Sequence, residues 1–455
     1  MNAVITDALD SLAARWHLRE ERDRVRKVLQ VLSSNERVKK CGRVPFGNVG
    51  ISADLSKPPG KRVAGFTGLT TCGSIWHCPR CSAAIGVKRA QEVRQALRGL
   101  RRQGGYALLL TLTASHRLHE QLGGLWKDID RSWARFTVGM PWRNLKRAGM
   151  TGYIRSTEVT HSFWTGWHVH FHVLLFFGSN TAVDDQWDAL VNHRRLTDSW
   201  ISAVAETGRV AGHKGQDLAP VDLEHLQVAD IPGTRTPGSD LAAYLTKNTR
   251  WDGADEVARG SVKEGRGGSR TPFQILRDLA LVDDPVSDGG ADLDLWHQWE
   301  FFSQGHRQMT WSKGLKESFG IPTWKDAAIA ASAPVGAEGS TDTGRARQIA
   351  GVFRGTWVSD RVGDKLQFME QVRRAVEILP VGDIPPVLEG IAAIHGVDLI
   401  TDGQVWRHIQ SPHLAALQVD LRRRRPRRGK PPRRYSPYDQ ATRSRILRRI
   451  AAVGN

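Results

Sequence analysis

The chain has 455 residues, 40% of them hydrophobic, and no uninterrupted apolar stretch is long enough to span a bilayer, so we expect a soluble protein with two or three cores. The net charge of +18 favours a polyanionic partner, because neutralising phosphates releases counterions, but charge alone does not distinguish DNA, RNA and anionic membranes. The chain has four cysteines and its first residues lack the basic and apolar blocks of a signal peptide, so we expect a reducing, cytoplasmic setting.

Hydrophobic periodicity predicts a series of helices and strands. In chain order these are a helix over 5–33, a basic helix over 82–103, a buried strand over 106–113, a helix over 118–147 interrupted at Pro141, a hairpin of strands over 153–160 and 167–177, a helix over 183–206, a strand over 221–228 and a last helix containing 240–247. This order is typical of an α+β fold, with a central antiparallel sheet, helices on one face and the other face open for a site.

Composition predicts seven regions along the chain. They are an N-terminal helical segment (1–40), a zinc-binding region (41–81), the unit that contains the sheet (82–250), an extension with glycine-rich mobile loops (251–330), a small-residue linker (331–345), a mainly helical C-terminal unit (346–420) and an arginine-rich basic tail (421–455). On its own such a tail is solvated, but on DNA it would supply nonspecific phosphate contacts.

The four cysteines follow a pattern typical of metal binding. Cys78 and Cys81 form a Cys-x-x-Cys knuckle, Cys72 lies six residues upstream, and Cys41 is available as a fourth ligand across a loop. We therefore predict a structural zinc site with four thiolate ligands. Two alternatives stay open: His77 replaces one of the thiols, or the cysteines are buried and reduced without metal.

Three histidines alternate along one predicted strand, at positions 168, 170 and 172. Every second side chain of a strand lies on the same face, so His168, His170 and His172 line up together. Neighbours on one face are about 7 Å apart, close enough to bind one ion, whereas His168 and His172 are about 13 Å apart. Two of the three histidines are therefore metal ligands at most, and the alternative is a histidine-bearing strand without metal.

Glu158, on the preceding strand of the hairpin, is the candidate for a third metal ligand. Directly opposite residues point to the same face, so Glu158 joins the histidines if it pairs with an even-numbered position. Pairing with His170 leaves a five-residue loop, 162–166, which is a permissible hairpin. Otherwise Glu158 is a surface charge.

Tyr244 is the candidate nucleophile. Asp240 lies four residues before it and Lys247 three residues after it, so a carboxylate, a phenol and an ammonium share one helical face. The other four tyrosines lie in predicted strands or in the basic tail. The alternative is an amphipathic helix whose tyrosine packs on the sheet.

Segments 108–113, 168–175 and 242–247 resemble the first, metal and nucleophile motifs of the HUH endonucleases, and among them the replication initiators of rolling-circle plasmids, particularly those of actinobacteria. The resemblance continues through 270–276 and 305–315 and covers roughly residues 65–320. One departure is Asp240, because that position is often Glu in such initiators.

The resemblance implies a nicking domain with a defined chemistry. Tyr244 attacks the scissile phosphate and forms a 5′-phosphotyrosyl DNA and a free 3′-OH, and the strand is later rejoined. Mn²⁺ or Mg²⁺ held by His170, His172 and Glu158 would polarise the phosphate. Lys247 would stabilise the phosphate or phenolate, and Asp240 would activate a water or hydroxyl when the cycle ends.

The implied partner is single-stranded or hairpin DNA at a replication origin. The sequence has no Gly-x-x-x-x-Gly-Lys-Ser/Thr loop, so we expect the helicase, like the polymerase, to come from the host. Two alternatives remain: a conjugative relaxase or single-strand transposase on the same catalytic plan, and a basic zinc protein that binds nucleic acid without cleaving it.

Overall fold

The computed structural model describes residues 2–178, 193–221, 223, 269–337, 347–354 and 362–400. The helices are α1 (Asn2–Leu32), α2 (Glu36–Lys40), α3 (Pro79–Arg102), α4 (Leu122–Phe136), α5 (Met140–Arg147), α6 (His193–Ala205), α7 (Pro272–Leu279), α8 (Gly290–Phe302), α9 (Leu315–Ser318), α10 (Asp326–Ser332), α11 (Val362–Ile378) and α12 (Ile384–Ile394). The strands are β1 (Pro45–Ala53), β2 (Gly65–Leu69), β3 (Tyr106–Leu112), β4 (Met150–Ser162), β5 (Gly166–Phe177), β6 (Asp217–Pro220), β7 (Ser269–Arg270), β8 (Met309–Trp311), β9 (Gln348–Phe353) and β10 (Leu399–Ile400).

The larger sheet has six strands in the order β6-β3-β5-β4-β7, with β8 also paired to β4. All of these pairs are antiparallel. The histidine strand β5 lies between β3 and β4; it pairs with β4 from Gly166 to Phe177 and with β3 from Phe171 to Phe177. The predicted α+β class with a central antiparallel sheet is thus confirmed.

One face of β5 supplies the main core. Val169, Phe171 and Val173 are fully buried in a cluster that contains tryptophans from α4 and α6. The Phe171 ring lies 5.7 Å from Trp133 of α4 and 6.3 Å from Trp200 of α6, measured between ring centroids. This packing fixes which face of β5 is buried, and the even-numbered residues therefore point to the opposite face.

A helix also covers part of the opposite face, although the order of predicted elements indicates an open face there. Leu174 and Phe176 of β5 pack in a cluster with Val93 and Leu97 of α3. The side chains on this face change from histidine to apolar at Leu174, which explains why α3 packs on this end of the strand. The histidine-bearing half lies outside that apolar cluster.

The smaller sheet has four antiparallel strands in the order β10-β9-β1-β2. It brings residues 45–69 together with residues 348–400, and Phe66, Phe353 and Phe368 share its core with Val372 of α11. Val335, in the predicted linker, pairs with Phe66 and is buried. The predicted domain boundaries stay predictions. The predicted C-terminal unit nevertheless contributes strands to the same sheet as the segment predicted to bind zinc.

Several predicted elements differ in their bounds. The helix predicted over 118–147 is two helices, and Pro141 lies in the first turn of α5, where its missing N–H costs no hydrogen bond. Strand β6 (Asp217–Pro220) precedes the strand predicted over 221–228, most of which lies outside the described residues. Residues 179–192, 222, 224–268 and 401–455 lie outside the described residues, and so do the predicted helix at 240–247 and the basic tail. Among the described helices, none is both long enough and apolar enough to cross a bilayer.

Candidate functional site

The β4–β5 hairpin brings Glu158 and the histidines to one face of the larger sheet. Glu158 lies directly opposite His170 in the antiparallel register, and His172 lies opposite Ser156. Residues directly across an antiparallel pair share a face, so the carboxylate and both imidazoles project from the same side. The register depends on the buried odd-numbered residues of β5, since a slip by one position would turn the histidines into the core.

The three side chains meet at one point. The Glu158 Oε2 atom is 3.2 Å from Nε2 of His170 and 3.2 Å from Nε2 of His172. All three ligand atoms lie within 4.8 Å of one another. Ligand atoms at about 2.1 Å from a six-coordinate ion and at right angles to each other are about 3.0 Å apart, so these distances fit a shared divalent cation. Two imidazoles and a carboxylate leave further coordination positions for other ligands.

Burial and a neighbouring strand hold this group in place. Glu158 and His172 are buried, and His170 is nearly so. The Nδ1 atom of His172 lies 3.2 Å from the Thr111 hydroxyl on β3, where Thr111 and His172 are directly paired. With a metal on Nε2, Nδ1–H donates to the hydroxyl and fixes the ring orientation. Thr111 was not identified from the sequence, although it lies in the predicted strand 106–113 that pairs with the histidine strand.

His168 lies on the same face but outside this group of three. Its ring is 4.8 Å from the ring of His170 and 4.8 Å from that of His116, which lies in the loop after β3. Burial, together with the neighbouring His170 and His116, lowers the pKa of His168 to about 3. His168 is therefore a neutral imidazole at neutral pH.

The four cysteines converge in the core, in a second group. The Sγ atom of Cys81 is 3.4 Å from that of Cys41 and 3.5 Å from that of Cys72, and Cys78 Sγ is 3.6 Å from Cys41 Sγ. A disulfide requires about 2.05 Å, whereas thiolates around one tetrahedral zinc ion are about 3.8 Å apart. The four sulfurs lie within 4.8 Å of one another and fit a closed four-sulfur metal site.

A buried guanidinium and a backbone N–H group donate hydrogen bonds to the sulfurs. The Arg80 guanidinium is fully buried and donates to Cys81 Sγ at 3.7 Å, and the backbone N–H of Ser74 donates to Cys72 Sγ at 3.4 Å. Hydrogen bonds from Cys72, Cys78 and Cys81 lower the pKa of Cys41 well below its ordinary value, and hydrogen bonding to Cys41 raises the pKa values of Cys72 and Cys78 well above theirs. Positive charge and N–H donors at the sulfurs offset the negative charge that four thiolates bring into a core.

His77, the alternative ligand in the cysteine pattern, has other partners. Its Nε2 lies 2.7 Å from the Ser303 hydroxyl and its Nδ1 lies 3.1 Å from the Ser74 hydroxyl. Burial lowers its pKa to about 4, so the ring is neutral. His77 thus links the cysteine region to α8 through hydrogen bonds, and the sulfur cluster is complete without it.

Tyr244, Asp240 and Lys247 lie outside the described residues. Their roles stay predictions.

A polar cleft lies on the other side of β4, next to the segment 305–315 that carries part of the family resemblance. Its volume is about 360 Å³, and its lining includes Asp130, Arg155 and His306. The Asp130 carboxylate is 3.3 Å from Nδ1 of His306 and 3.8 Å from the Arg155 guanidinium. Arg155 is odd-numbered and projects away from the histidine face, so this cleft is separate from the candidate metal centre.

Comparisons with known proteins identify the same region. Residues 68–204, which include both candidate metal groups except Cys41, match a family described as "Replication protein". The chain is 28% identical over 309 residues to Protein rep of Streptomyces lividans, which covers 56% of this chain and 64% of that protein. It is 32% identical over 251 residues to the neomycin resistance protein of Streptomyces cyanogenus, covering 49% and 53% of the two chains.

A shorter match, 33% identical over 102 residues, relates the chain to Protein rep of Lentilactobacillus hilgardii and covers 22% of this chain and 31% of that protein. The chain thus spans less than two thirds of the length of each of these relatives. No solved structure matches it. The resemblance to replication proteins noted in the sequence is confirmed.

Proposed function

The chain resembles rolling-circle plasmid replication initiators of the actinobacterial type, and from that premise we propose that it nicks one strand of DNA at an origin by tyrosine attack. The observation that carries the proposal is the buried group of Glu158, His170 and His172, whose ligand atoms lie within 4.8 Å of one another. A carboxylate and two imidazoles on one sheet face form a site for a divalent cation with open positions for a phosphate oxygen.

His170, His172 and Glu158 would hold Mn²⁺ or Mg²⁺. When bound, such an ion supplies Lewis-acid stabilisation of the charge that develops on the phosphate oxygens. The protein residues keep the three donors aligned before DNA arrives: the β4–β5 register sets their face, and Thr111 orients the His172 ring.

Tyr244 is the proposed nucleophile. Its phenol has an ordinary pKa of about 10, so attack requires loss of the proton and a polarised phosphate. The bond between the tyrosine oxygen and phosphorus forms as the bond from phosphorus to the 3′ oxygen breaks. The products are a 5′-phosphotyrosyl strand and a 3′-OH, and the reverse reaction rejoins the strand.

Lys247 and Asp240 would assist Tyr244. An ammonium three residues after the tyrosine stabilises a phenolate or the phosphate, and a carboxylate four residues before it accepts a proton from the attacking hydroxyl in the closing step. The 3′-OH primes synthesis by a host polymerase, and a host helicase separates the strands.

The four cysteines would hold Zn²⁺ as a structural ion. Soft thiolates favour zinc, and four of them would complete its tetrahedral shell and leave no open position for a substrate. The two proposed metals therefore differ in role: zinc in folding and the other cation in chemistry.

Covalent capture of DNA tests the proposed function. Incubating the protein with labelled single-stranded DNA from a candidate origin and Mn²⁺ or Mg²⁺ should give a protein–DNA adduct that survives denaturation and is lost when the cation is omitted. Tyr244→Phe should abolish the adduct while DNA binding remains, because the phenyl ring has no oxygen to attack phosphorus. An adduct formed by Tyr244→Phe would identify another nucleophile, and a protein that binds DNA without any adduct would be the non-catalytic alternative.

A further inference from the structure

Two aromatic side chains at the tip of the β4–β5 hairpin are exposed to solvent. Phe163 is 74% exposed and Trp164 is 73% exposed, whereas Trp167, three residues further on, is 2% exposed in the core. Exposing two adjacent large aromatic rings forgoes the stabilisation that their burial would give, which points to contact with a ligand.

The hairpin tip is a short turn with a defined conformation. Ser162 and Gly166 form the last pair of the ladder, so the connection has three residues, 163–165, instead of the five predicted. Gly166 has φ of +79°, and a Cβ there would lie 2.5 Å from the Leu118 carbonyl oxygen, so the turn requires glycine. The backbone N–H of Trp164 donates to the Ser162 hydroxyl at 3.2 Å. The Phe163 and Trp164 rings pack edge to face, with their centroids 5.1 Å apart.

The loop after β3 places basic side chains beside this tip. His116 Nδ1 lies 2.8 Å from the carbonyl oxygen of Thr165 in the turn. Arg117 and His119 follow in the same loop and are exposed. Among the described residues the Arg117 guanidinium has no ion-pair partner, which leaves its charge available to an anionic ligand.

His116 and His168 connect the tip to the candidate metal centre. The His116 ring lies 4.8 Å from the His168 ring, which lies 4.8 Å from the His170 ring on the same sheet face. Gly166 is four residues from His170, or about 13 Å along a strand.

We propose that Phe163 and Trp164 form a stacking platform for unpaired bases of the DNA strand that enters the metal centre, while Arg117 contacts its phosphates. Aromatic rings stack on every kind of base, and neighbouring cations follow the sugar–phosphate chain. The inference rests on the proposed function for its ligand, single-stranded DNA. It adds a binding site on the hairpin tip, beside the end of β5 that leads to the candidate metal centre.

The test compares two strands of equal length, an oligothymidylate of about 15 nucleotides and an abasic phosphodeoxyribose chain. Binding is measured by fluorescence anisotropy without added Mn²⁺ or Mg²⁺. The wild type should prefer oligothymidylate by about tenfold or more, since stacking contributes to that strand alone. The double variant Phe163→Ala/Trp164→Ala should lose this preference, and Trp164→Phe should retain most of it.

Two controls separate stacking from charge and from general damage. Arg117→Gln should weaken the binding of both strands equally and reduce the salt dependence of binding, since it removes a phosphate contact. Trp324→Ala removes another exposed tryptophan, 43% exposed, and should leave the preference unchanged. The proposal would be wrong if the wild type showed no preference for oligothymidylate over the abasic strand, or if the double variant kept that preference. This binding assay involves no covalent step, so it can be interpreted even if the protein forms no tyrosyl adduct.

Discussion

At the scale of single residues, His170 and His172 differ from His168 in their distance from Glu158. The Nε2 atoms of His170 and His172 are each 3.2 Å from the Glu158 carboxylate, while His168 lies outside the group. We expect His170→Ala and His172→Ala each to reduce nicking by about 100-fold or more, because loss of a ligand removes several kcal/mol of Lewis-acid stabilisation.

His168→Ala is the matched control for those two variants, since it removes an imidazole from the same face. It should have a milder effect on both nicking and the affinity for Mn²⁺, measured by calorimetric titration. Equal Mn²⁺ affinity in all three variants would show that the cation is not bound by His170 and His172.

His161 predicts a pH dependence of stability. Burial and the nearby Arg270 lower its pKa to about 4 from an ordinary value of 6.5. As the pH falls between these two values, the unfolded chain takes up a proton that the folded protein resists, so the free energy of unfolding decreases. The stabilisation is thus present above pH 6.5 and is lost as the pH falls towards 4.

Replacing His161 by Gln should therefore reduce the loss of stability on acidification, measured as the urea midpoint at about pH 7 and about pH 5. Acid also releases metal from thiolates, but it does so in both proteins, so the difference between them reports on His161. The same acid-induced change in both would contradict the assigned shift.

At the scale of elements, the hairpin illustrates what a sequence can and cannot predict. Alternation of histidine with Val169 and Phe171 was sufficient to identify β5 and its buried face, because the period of a strand is local. Whether Glu158 is a candidate metal ligand or a surface charge depends on the register of the hairpin, and in the structure Glu158 lies opposite His170. The turn was predicted too long, because the last pair, Ser162 with Gly166, depends on the close approach of Gly166 to the loop at Leu118.

The pairing of β3 with β5 gives a prediction for Thr111. Its hydroxyl lies 3.2 Å from Nδ1 of His172 and holds the ring from the neighbouring strand. Thr111→Val keeps the shape and removes the hydroxyl, and should weaken Mn²⁺ binding by about tenfold or more. Thr111→Ser, which keeps the hydroxyl, should bind as the wild type does. Equal binding by the Val and Ser variants would show that Thr111 does not orient His172.

At the scale of the whole molecule, segments far apart in the sequence are in contact, as α1 and α11 show. The Arg19 guanidinium on α1 lies 2.7 Å from the buried Glu377 carboxylate on α11, and Arg373 of α11 lies 2.8 Å from Asp23 of α1. Strand β9 pairs with β1 across about 300 residues of sequence. Local periodicity predicts α1 and a mainly helical C-terminal unit that contains α11. It contains no information on which distant strands pair, so it does not predict the smaller sheet.

The cysteine cluster joins distant parts of the chain in the same way. Cys41 follows α2, Cys72 follows β2, and Cys78 and Cys81 lie at the start of α3. A zinc ion bound there would cross-link these segments, and its binding energy would contribute directly to folding. We expect about one tightly held zinc per chain in protein purified without added metal, measured by elemental analysis.

Zinc should be lost in Cys78→Ser or Cys81→Ser, and these variants should melt at lower temperature because three segments are no longer held together. His170→Ala and His172→Ala should keep the zinc and the melting temperature while losing nicking, since their cation acts in chemistry. Removing loosely held cations with EDTA should likewise stop cleavage and leave the domain folded. Zinc that persisted in both cysteine variants and left with the histidines would reverse the two assignments, and its absence from the wild type would make the cysteines core residues.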